Sequence, residues 1–163
     1  MKHCFMFLLG IFLSATLYGQ NYSSEVVFLQ QQGNTLTVRA LGISEKKKEA
    51  ANMALKSAFY TLFYTGVDGV NKGNPMVSTA KPDYDRRFFD ENRYSVFVKD
   101  YTVTEGPEKQ GKQYRCTVEM TILFDALQKD LNRNKVQTNL RMAVGTPNSQ
   151  VSLPTVTVVP YTR

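Results

Sequence analysis

The chain has 163 residues, with 20 lysines and arginines against 14 acidic residues, so its net charge at pH 7 is +6. It contains two cysteines and one histidine, His3. A single domain typically has about 100–200 residues. The composition therefore predicts one domain with its own core, and it excludes chemistry that needs several histidines.

The first 19 residues have the three parts of a secretion signal: the cationic Lys2, an apolar run at 5–13, and small residues near the end. The run is shorter than the roughly 20 residues of a membrane-spanning helix. A buried amphipathic helix is the alternative, but it would show polar residues along one face. We expect cleavage between Gly19 and Gln20. Because Gln20 stands where a bacterial lipoprotein has its acylated cysteine, we predict an exported protein without a lipid anchor or transmembrane segment.

Cleavage at this position would remove the histidine and one of the two cysteines. Removing Lys2 from the 20 basic side chains leaves 19 against 14 acidic ones, a net charge of +5. The remaining Cys116 has no partner for an intrachain disulfide, whereas small exported proteins of eukaryotes usually carry several. The sequence therefore favours a bacterial envelope, either the periplasm or the cell exterior. We expect no nucleic-acid partner.

Two strands and a long helix are predicted in the first half of the chain. Residues 26–31 and 35–41 alternate in polarity on either side of a glycine-containing turn, which indicates a hairpin. Ser44 is a suitable N-cap for a helix over residues 45–64, and Gly66 is a typical residue for the end of one. The apolar side of this helix begins with alanines, so we expect it to lie close to a sheet.

The second half predicts a loop over residues 66–81, a short helix over 83–91 and a second hairpin. The strands of this hairpin are residues 93–104 and 112–123, joined by the polar segment 105–111. The second strand alternates most regularly, which is typical of a strand with one buried face. Together these elements predict an α+β fold. Its antiparallel sheet has three to four strands, with the alanine-rich helix across one face, in the order β-β-α-β-β-α.

The end of the chain is less regular. Asp125 is a candidate cap for a second short helix. Residues 20–135 then form the predicted α+β domain, and residues 136–163 form a tail. A short strand at 155–159 lies between prolines, and we interpret it either as a terminal strand or as the opening of a further domain.

The segment LTVRALGIS at 36–44 is followed by alanines spaced four residues apart from 50 to 58. This pattern resembles the amino-terminal domain of the flagellar assembly protein T family and a related group of small outer-membrane lipoproteins. Residues 94–98 and 114–122 fit the same pattern, so the resemblance covers roughly residues 35–131. The chain also resembles uncharacterised exported proteins of Bacteroidetes. The resemblance rests on core and turn residues, and it therefore implies a fold more than an activity.

Catalytic and metal-binding patterns are weak. Cys116 falls on the apolar face of its strand, which is typical of a small buried hydrophobe and not of a nucleophile. The acidic residues between 83 and 91 alternate with arginines, as on a solvated surface. The oxygen-bearing residues between 68 and 74 do not have the spacing of a calcium loop. We therefore predict no catalytic residue, no metal site, no cofactor and no enzymatic activity.

Lys46, Lys47 and Lys48 open the long helix, where positive charge opposes the helix dipole. One interpretation is contact with an anionic surface, such as a lipid headgroup or an acidic glycan. The other is an ordinary solvated first turn.

Met53, Tyr60 and Tyr64 share the side of the long helix opposite its alanines and form a candidate interaction face. We expect this face to be covered by the tail at 136–163, by a neighbouring subunit or by another domain. This face and the exposed second hairpin are the candidate contact surfaces. They favour a non-catalytic assembly or protein-interaction module of the cell envelope, whose partner is an envelope protein or a second copy of the chain.

The alternative function is a small-ligand or glycan-binding envelope protein. It would use aromatic side chains near the long loop, and the candidates are Tyr84, Phe88 and Phe89. An enzyme that uses carboxylates is a third and weaker hypothesis. A deep pocket near these residues would favour ligand binding, whereas a flat surface with apolar patches would favour assembly.

Overall fold

The structure is a computed structural model, and it describes residues 22–140. The predicted leader before Tyr22 and the predicted strand at 155–159 lie outside the described residues. The regular elements, in chain order, are β1 (Val26–Gln32), β2 (Thr35–Ser44), α1 (Ala50–Tyr60), α2 (Pro82–Asp85), β3 (Val98–Gln110), β4 (Gln113–Leu123) and α3 (Phe124–Arg133). Both predicted hairpins and the long helix between them are present, so the α+β class is confirmed.

The four strands form one antiparallel sheet in the order β1-β2-β4-β3. The central pair, β2 and β4, places Leu36 opposite Ile122 and Ala40 opposite Val118, and all four side chains are buried. The intervening Thr37, Arg39, Glu119 and Thr121 point to the other side of the sheet and are less buried. The alternation predicted for the fourth strand is thus confirmed, and its cause is a core on one face only.

The long helix lies on that core face. A 3₁₀ turn at Lys47–Glu49, α1 itself and a π-helical turn at Thr61–Thr65 form one continuous segment. The segment ends at Gly66, whose φ of 93° suits a glycine and whose N–H donates to the carbonyl oxygen of Thr61. The predicted helix over 45–64 and its terminating glycine are therefore confirmed.

Two predicted helix caps differ from the structure. Ser44 is the last residue of β2, three residues before the 3₁₀ turn begins, and its Oγ accepts from the Lys46 N–H at 3.2 Å. Asp125 lies inside the first turn of α3 and does not cap it. The reason is that β4 runs into α3 without a loop, and the Phe124 and Asp125 N–H groups donate to the carbonyl oxygen of Asn34.

The first strand of the second hairpin begins and ends later in the chain than its sequence indicates. Residues 93–97 form a 3₁₀ turn, because Tyr94 and Phe97 must both reach the core from the same side. Strand β3 then continues through the polar segment 105–111 as far as Gln110. Irregular pairing with β4 between Val103 and Glu108 accommodates the glycine and proline that indicated a loop.

An aromatic layer completes the core between α1 and residues 82–97. Phe88 lies at its centre, with its ring centroid 5.4 Å from that of Phe59 and 4.9 Å from that of Phe63. Tyr84 and Phe97 lie on other sides of the same ring, at 5.5 and 5.8 Å. The short helix and the turn after it are therefore held by contacts with the long helix.

Residues 136–140, the start of the predicted tail, pack against the long loop. Val77 pairs with Thr138 in an isolated bridge, and the Ser78 N–H donates to the carbonyl oxygen of Gln137 at 2.9 Å. The folded unit therefore includes these residues. No helix between residues 22 and 140 is long and apolar enough to cross a bilayer.

Candidate functional site

Strand β3 forms a free edge of the sheet. It runs for 13 residues, and all but two of them are exposed to solvent. Within the described part of the chain, no strand pairs with the side of β3 that faces away from β4. An edge strand presents a row of unpaired backbone N–H and C=O groups, which is a template for pairing with another strand.

Apolar side chains accompany this edge. Tyr101 is 53% exposed and Val103 is 41% exposed. Their partners on β4 are Met120 and Val118, both buried, so both side chains point to the face of the sheet that carries α1. We call Tyr101, Val103 and the β3 backbone beside them the edge strip.

The edge strip is exposed because the helix stops short of it. Helix α1 packs mainly on β2 and β4, the two central strands. A cavity of about 380 Å³, lined by Leu55 of α1, Val98 and Tyr101 among others, separates the helix from the edge strip. Val96, in the turn before β3, is 61% exposed and adds to the apolar surface at this end of the sheet.

The pairing of β3 with β4 is regular only over short stretches. The pairing with β4 shifts between Val98 and Asp100 and again between Val103 and Glu105. Bulges of this kind are one way in which proteins protect an edge strand from unwanted pairing. Residues 100–103 are the longest regularly paired stretch of β3, and therefore the part best suited to accept another strand; they include Tyr101 and Val103.

A second cavity, of about 420 Å³, lies on the opposite face near the end of the hairpin. Arg115 lies 3.5 Å from Glu25 and donates to Gln110 Oε1 at 3.0 Å. Glu105 accepts from the Thr117 hydroxyl at 3.0 Å. The polar side chains around this cavity are therefore already paired with one another, which argues against a ligand site in it.

The predicted interaction face on α1 is partly covered by a residue from the start of the domain. The ring of Tyr22 stacks on Tyr60 at 4.5 Å, which leaves Tyr60 37% exposed. Burial raises the pKa of Tyr22 to about 12. Residues 136–140 pack against the long loop instead. Among the described residues, the cover thus comes from the start of the domain. Cover by the tail beyond residue 140, by a neighbouring subunit or by another domain stays a prediction.

The other two residues of that face are half-buried. Met53 lies on α1, and Tyr64 donates from its hydroxyl to Asp85 Oδ1 at 2.5 Å. Burial, with this hydrogen bond, raises the pKa of Tyr64, and burial also raises the pKa of Asp85. Tyr64 therefore ties the long helix to α2, and its hydroxyl is already used within the domain.

The three lysines lie on the surface, as predicted. Lys46 Nζ is 2.9 Å from Glu49 Oε1, and both side chains are mostly exposed. The hydrogen bond to Glu49 raises the pKa of Lys46. Lys47 and Lys48 are exposed in the 3₁₀ turn before α1. Contact with an anionic surface stays a prediction.

The aromatic residues predicted for a ligand surface lie in the core. Tyr84, Phe88 and Phe89 are 1%, 0% and 5% exposed. Tyr84 donates to Asp130 Oδ2 at 2.9 Å, and Arg93 donates to Asp130 Oδ1 at 2.5 Å. The prediction is corrected on this point, because these side chains hold the short helix to α1 and α3 and are not accessible to a ligand from solvent.

Cys116 is 1% exposed, and burial raises the pKa of its thiol. Both observations match a small hydrophobe in the core and oppose a reactive thiolate. Across residues 22–140, no group of three or more His, Cys, Asp or Glu side chains is placed to hold a metal ion.

Comparison with known proteins gives no match, whether with family models, with curated protein sequences or with solved structures. The resemblance to the flagellar assembly protein T family therefore stays a prediction.

The edge strip was not among the residues singled out from the sequence. Its signal was present, because Tyr101 and Val103 alternate with polar residues in a predicted strand. Alternation identifies a strand but not its place in the sheet. The strand order β1-β2-β4-β3 is what leaves this strand at the edge.

Proposed function

We propose that this chain is a non-catalytic interaction module, exported to the cell envelope, which binds another protein along β3. One observation carries the proposal: a long edge strand has its most regular stretch beside two exposed apolar side chains, Tyr101 and Val103. Exposed apolar surface at an unpaired sheet edge is typical of a site for protein contact.

The mode of binding that fits this surface is strand addition. The incoming strand would form main-chain hydrogen bonds with residues 100–103, and these supply affinity with little dependence on sequence. Tyr101 and Val103 would bury apolar surface against alternate side chains of that strand. The flanking bulges would limit the paired stretch, which favours a specific partner over open-ended aggregation.

Export is the second part of the proposal, and the predicted leader supports it. Tyr22 is the third residue after the expected cleavage point, and the described fold begins there with its stack on Tyr60. The intact mass of the protein from the envelope of its host should correspond to a chain that starts at Gln20. Recovery of the uncleaved chain from the cytoplasm would contradict export.

Site-specific photo-crosslinking in growing cells tests the binding surface. A photoreactive phenylalanine analogue at Tyr101 should give adducts of higher mass. The matched control is the same analogue at Val27, an apolar residue that is 57% exposed at the opposite edge of the sheet. Adducts from Val27 alone, or from neither position, would refute binding along β3. Circular dichroism of both purified variants checks that the fold is intact.

A further inference from the structure

The outer edge of β1 lies near the point where the chain leaves the described residues. Strand β1 is the outer strand on the other side of the sheet, and within residues 22–140 no strand pairs with its free side. We propose that residues 155–159 of the tail pair with β1 as a fifth strand. This inference goes beyond the proposed function, because it concerns the opposite edge of the sheet and an occupant from the same chain.

A cavity of about 570 Å³ lies between β1 and the loop that follows α1. Val26, Val27 and Phe28 line it on the side of the strand, and residues 65–68 with Gly73 line it on the side of the loop. Val27 is 57% exposed, and the other two side chains of the strand are only partly buried. The cavity therefore leaves apolar surface of β1 without cover from the described residues.

The described part of the tail is bound to the same loop. The Asn139 N–H donates to the carbonyl oxygen of Met76 at 2.8 Å, and the Asn139 side-chain amide donates to that of Pro75 at 3.2 Å. Leu140 packs against the core. Pro75 is two residues from Gly73 in the wall of the cavity, so their Cα atoms are at most about 7 Å apart. The remainder of the tail therefore starts next to this cavity.

The remainder of the tail is long enough to reach β1. Fourteen residues, 141–154, precede the proposed strand. A fully extended chain spans at most about 3.3–3.6 Å per residue, which gives about 46–50 Å for this segment. The sheet, with strands about 4.8 Å apart, is only about 14 Å wide from β1 to β3. Length alone therefore permits either edge, and the cavity beside the start of the tail selects β1.

The alternation of residues 155–159 suits this position. Their sequence is TVTVV, so Val156 and Val158 share one side and Thr157 lies on the other. Val27 points away from the core, so with Thr157 opposite it the two valines would lie on the core side of the sheet, beside the cavity. A proline donates no backbone hydrogen bond, so the prolines on either side confine the pairing to five residues.

The charges also agree with this occupant. Residues 141–163 contain two arginines and no acidic residue. Among the described residues that line the cavity, Asp68 alone is charged, and it forms no ion pair within residues 22–140. Opposite charges therefore draw the tail towards the cavity, and main-chain hydrogen bonds with β1 supply the affinity.

Disulfide formation tests this pairing in the full chain with Cys4→Ser, in which the remaining Cys116 is buried. Opposite residues of paired strands have Cα atoms about 5 Å apart, within the range of a disulfide. Val27→Cys combined with Thr157→Cys should form a disulfide within one chain on mild oxidation, which peptide mass mapping identifies. The matched control combines Thr102→Cys with Thr157→Cys, because Thr102 is also exposed and ends the same row of paired residues at the opposite edge.

We expect the disulfide at Val27 to form at least ten times as fast as the disulfide at Thr102. Equal rates, or a faster reaction at Thr102, would overturn the choice of edge and with it the proposal. Disulfides formed mainly between two chains would overturn the choice of the chain's own tail as the occupant.

Hydrogen exchange provides a second measurement in the chain with its native cysteines. Thr157→Pro removes a donor from the middle of the proposed strand and disrupts its pairing. Backbone amides on the free side of β1 should then exchange at least tenfold faster than in the wild type. Amides of β4, at the centre of the sheet, should not change, and they report that the fold is intact. Equal exchange at β1 in the two proteins would overturn the fifth strand, but it would not affect binding along β3, because Tyr101 is unchanged.

Discussion

A single methyl group added at Gly42 is expected to push the long helix off the sheet. Gly42 lies in β2 beneath α1, and a Cβ atom there would be 2.1 Å from the Ala50 carbonyl oxygen and 2.3 Å from the Ala54 nitrogen. Both are backbone atoms, so no side-chain rotation can relieve the contact. We therefore expect Gly42→Ala to displace the helix by about 1 Å or more.

The size of the effect follows from what that displacement exposes. Ala54, Ala58 and Phe59 on α1 are all fully buried. Adding atoms to a well-packed core costs about 1–3 kcal/mol, and a gap of up to about 1 Å forfeits a quarter to a half of the dispersion energy at each contact. We expect the free energy of unfolding to fall by about 3 kcal/mol, which corresponds to a decrease in Tm of about 10 °C.

Urea denaturation followed by far-UV circular dichroism measures this loss, since the chain has no tryptophan for fluorescence. Gly33→Ala is the control, because Gly33 has a φ of 53° but open space around it. Backbone strain alone should cost it about 1 kcal/mol. Ala54→Gly should not rescue Gly42→Ala, because the clash is with the backbone. A loss at Gly42 no larger than the loss at Gly33 would refute the reasoning.

Three further predictions concern buried polar groups. Asp130→Asn should lower the free energy of unfolding by about 2 kcal/mol in urea titrations. This loss is smaller than for a fully buried ion pair because the Arg93 side chain is 37% exposed. The Tyr84 hydroxyl can also still donate to the amide oxygen of the new asparagine. A loss below about 0.5 kcal/mol would contradict a stabilising role for the ion pair between Arg93 and Asp130. Burial raises the pKa of Asp85, so the stability that this group contributes is present below its ordinary pKa and is lost as pH rises. The free energy of unfolding of Asp85→Asn, relative to that of the wild type, should therefore rise between about pH 3 and about pH 7. A difference between the two proteins that does not change with pH would contradict burial as the cause. Burial also raises the pKa of the Cys116 thiol. In the chain with Cys4→Ser, Ellman's reagent should therefore label Cys116 only as fast as the chain unfolds, and rapid labelling of that native protein would show that the Cys116 thiol is accessible.

The sequence predicted best those elements whose pattern has a single local cause. Residues 114–122 alternate because one face of β4 packs under the helix, and the helix ends at Gly66 because glycine accepts its φ of 93°. The segment 105–111 was wrongly taken as a link, since Gly106 and Pro107 usually indicate a turn. Here they lie in an irregular strand, and only the pairing with β4 reveals it.

The candidate site was harder to predict because its properties are not local. Phe88 is buried by Phe59 and Phe63 of the long helix, and no pattern around residue 88 indicates that cover. The ring that stacks on Tyr60 belongs to Tyr22, at the start of the domain and far from Tyr60 in the sequence. Exposure of Tyr101 depends on strand order, which is a property of the whole sheet.

The topology of the sheet also determines when the domain can fold. Its central strands are far apart in the chain, and the Arg39–Glu119 pair that joins them spans 80 positions. A hairpin such as β1-β2 is marginally stable alone, so the core cannot close until β4 has been made. Contacts of long sequence separation also form slowly. A chain with this topology therefore emerges from the ribosome largely unfolded, and its core closes only after the last of these four strands has been made.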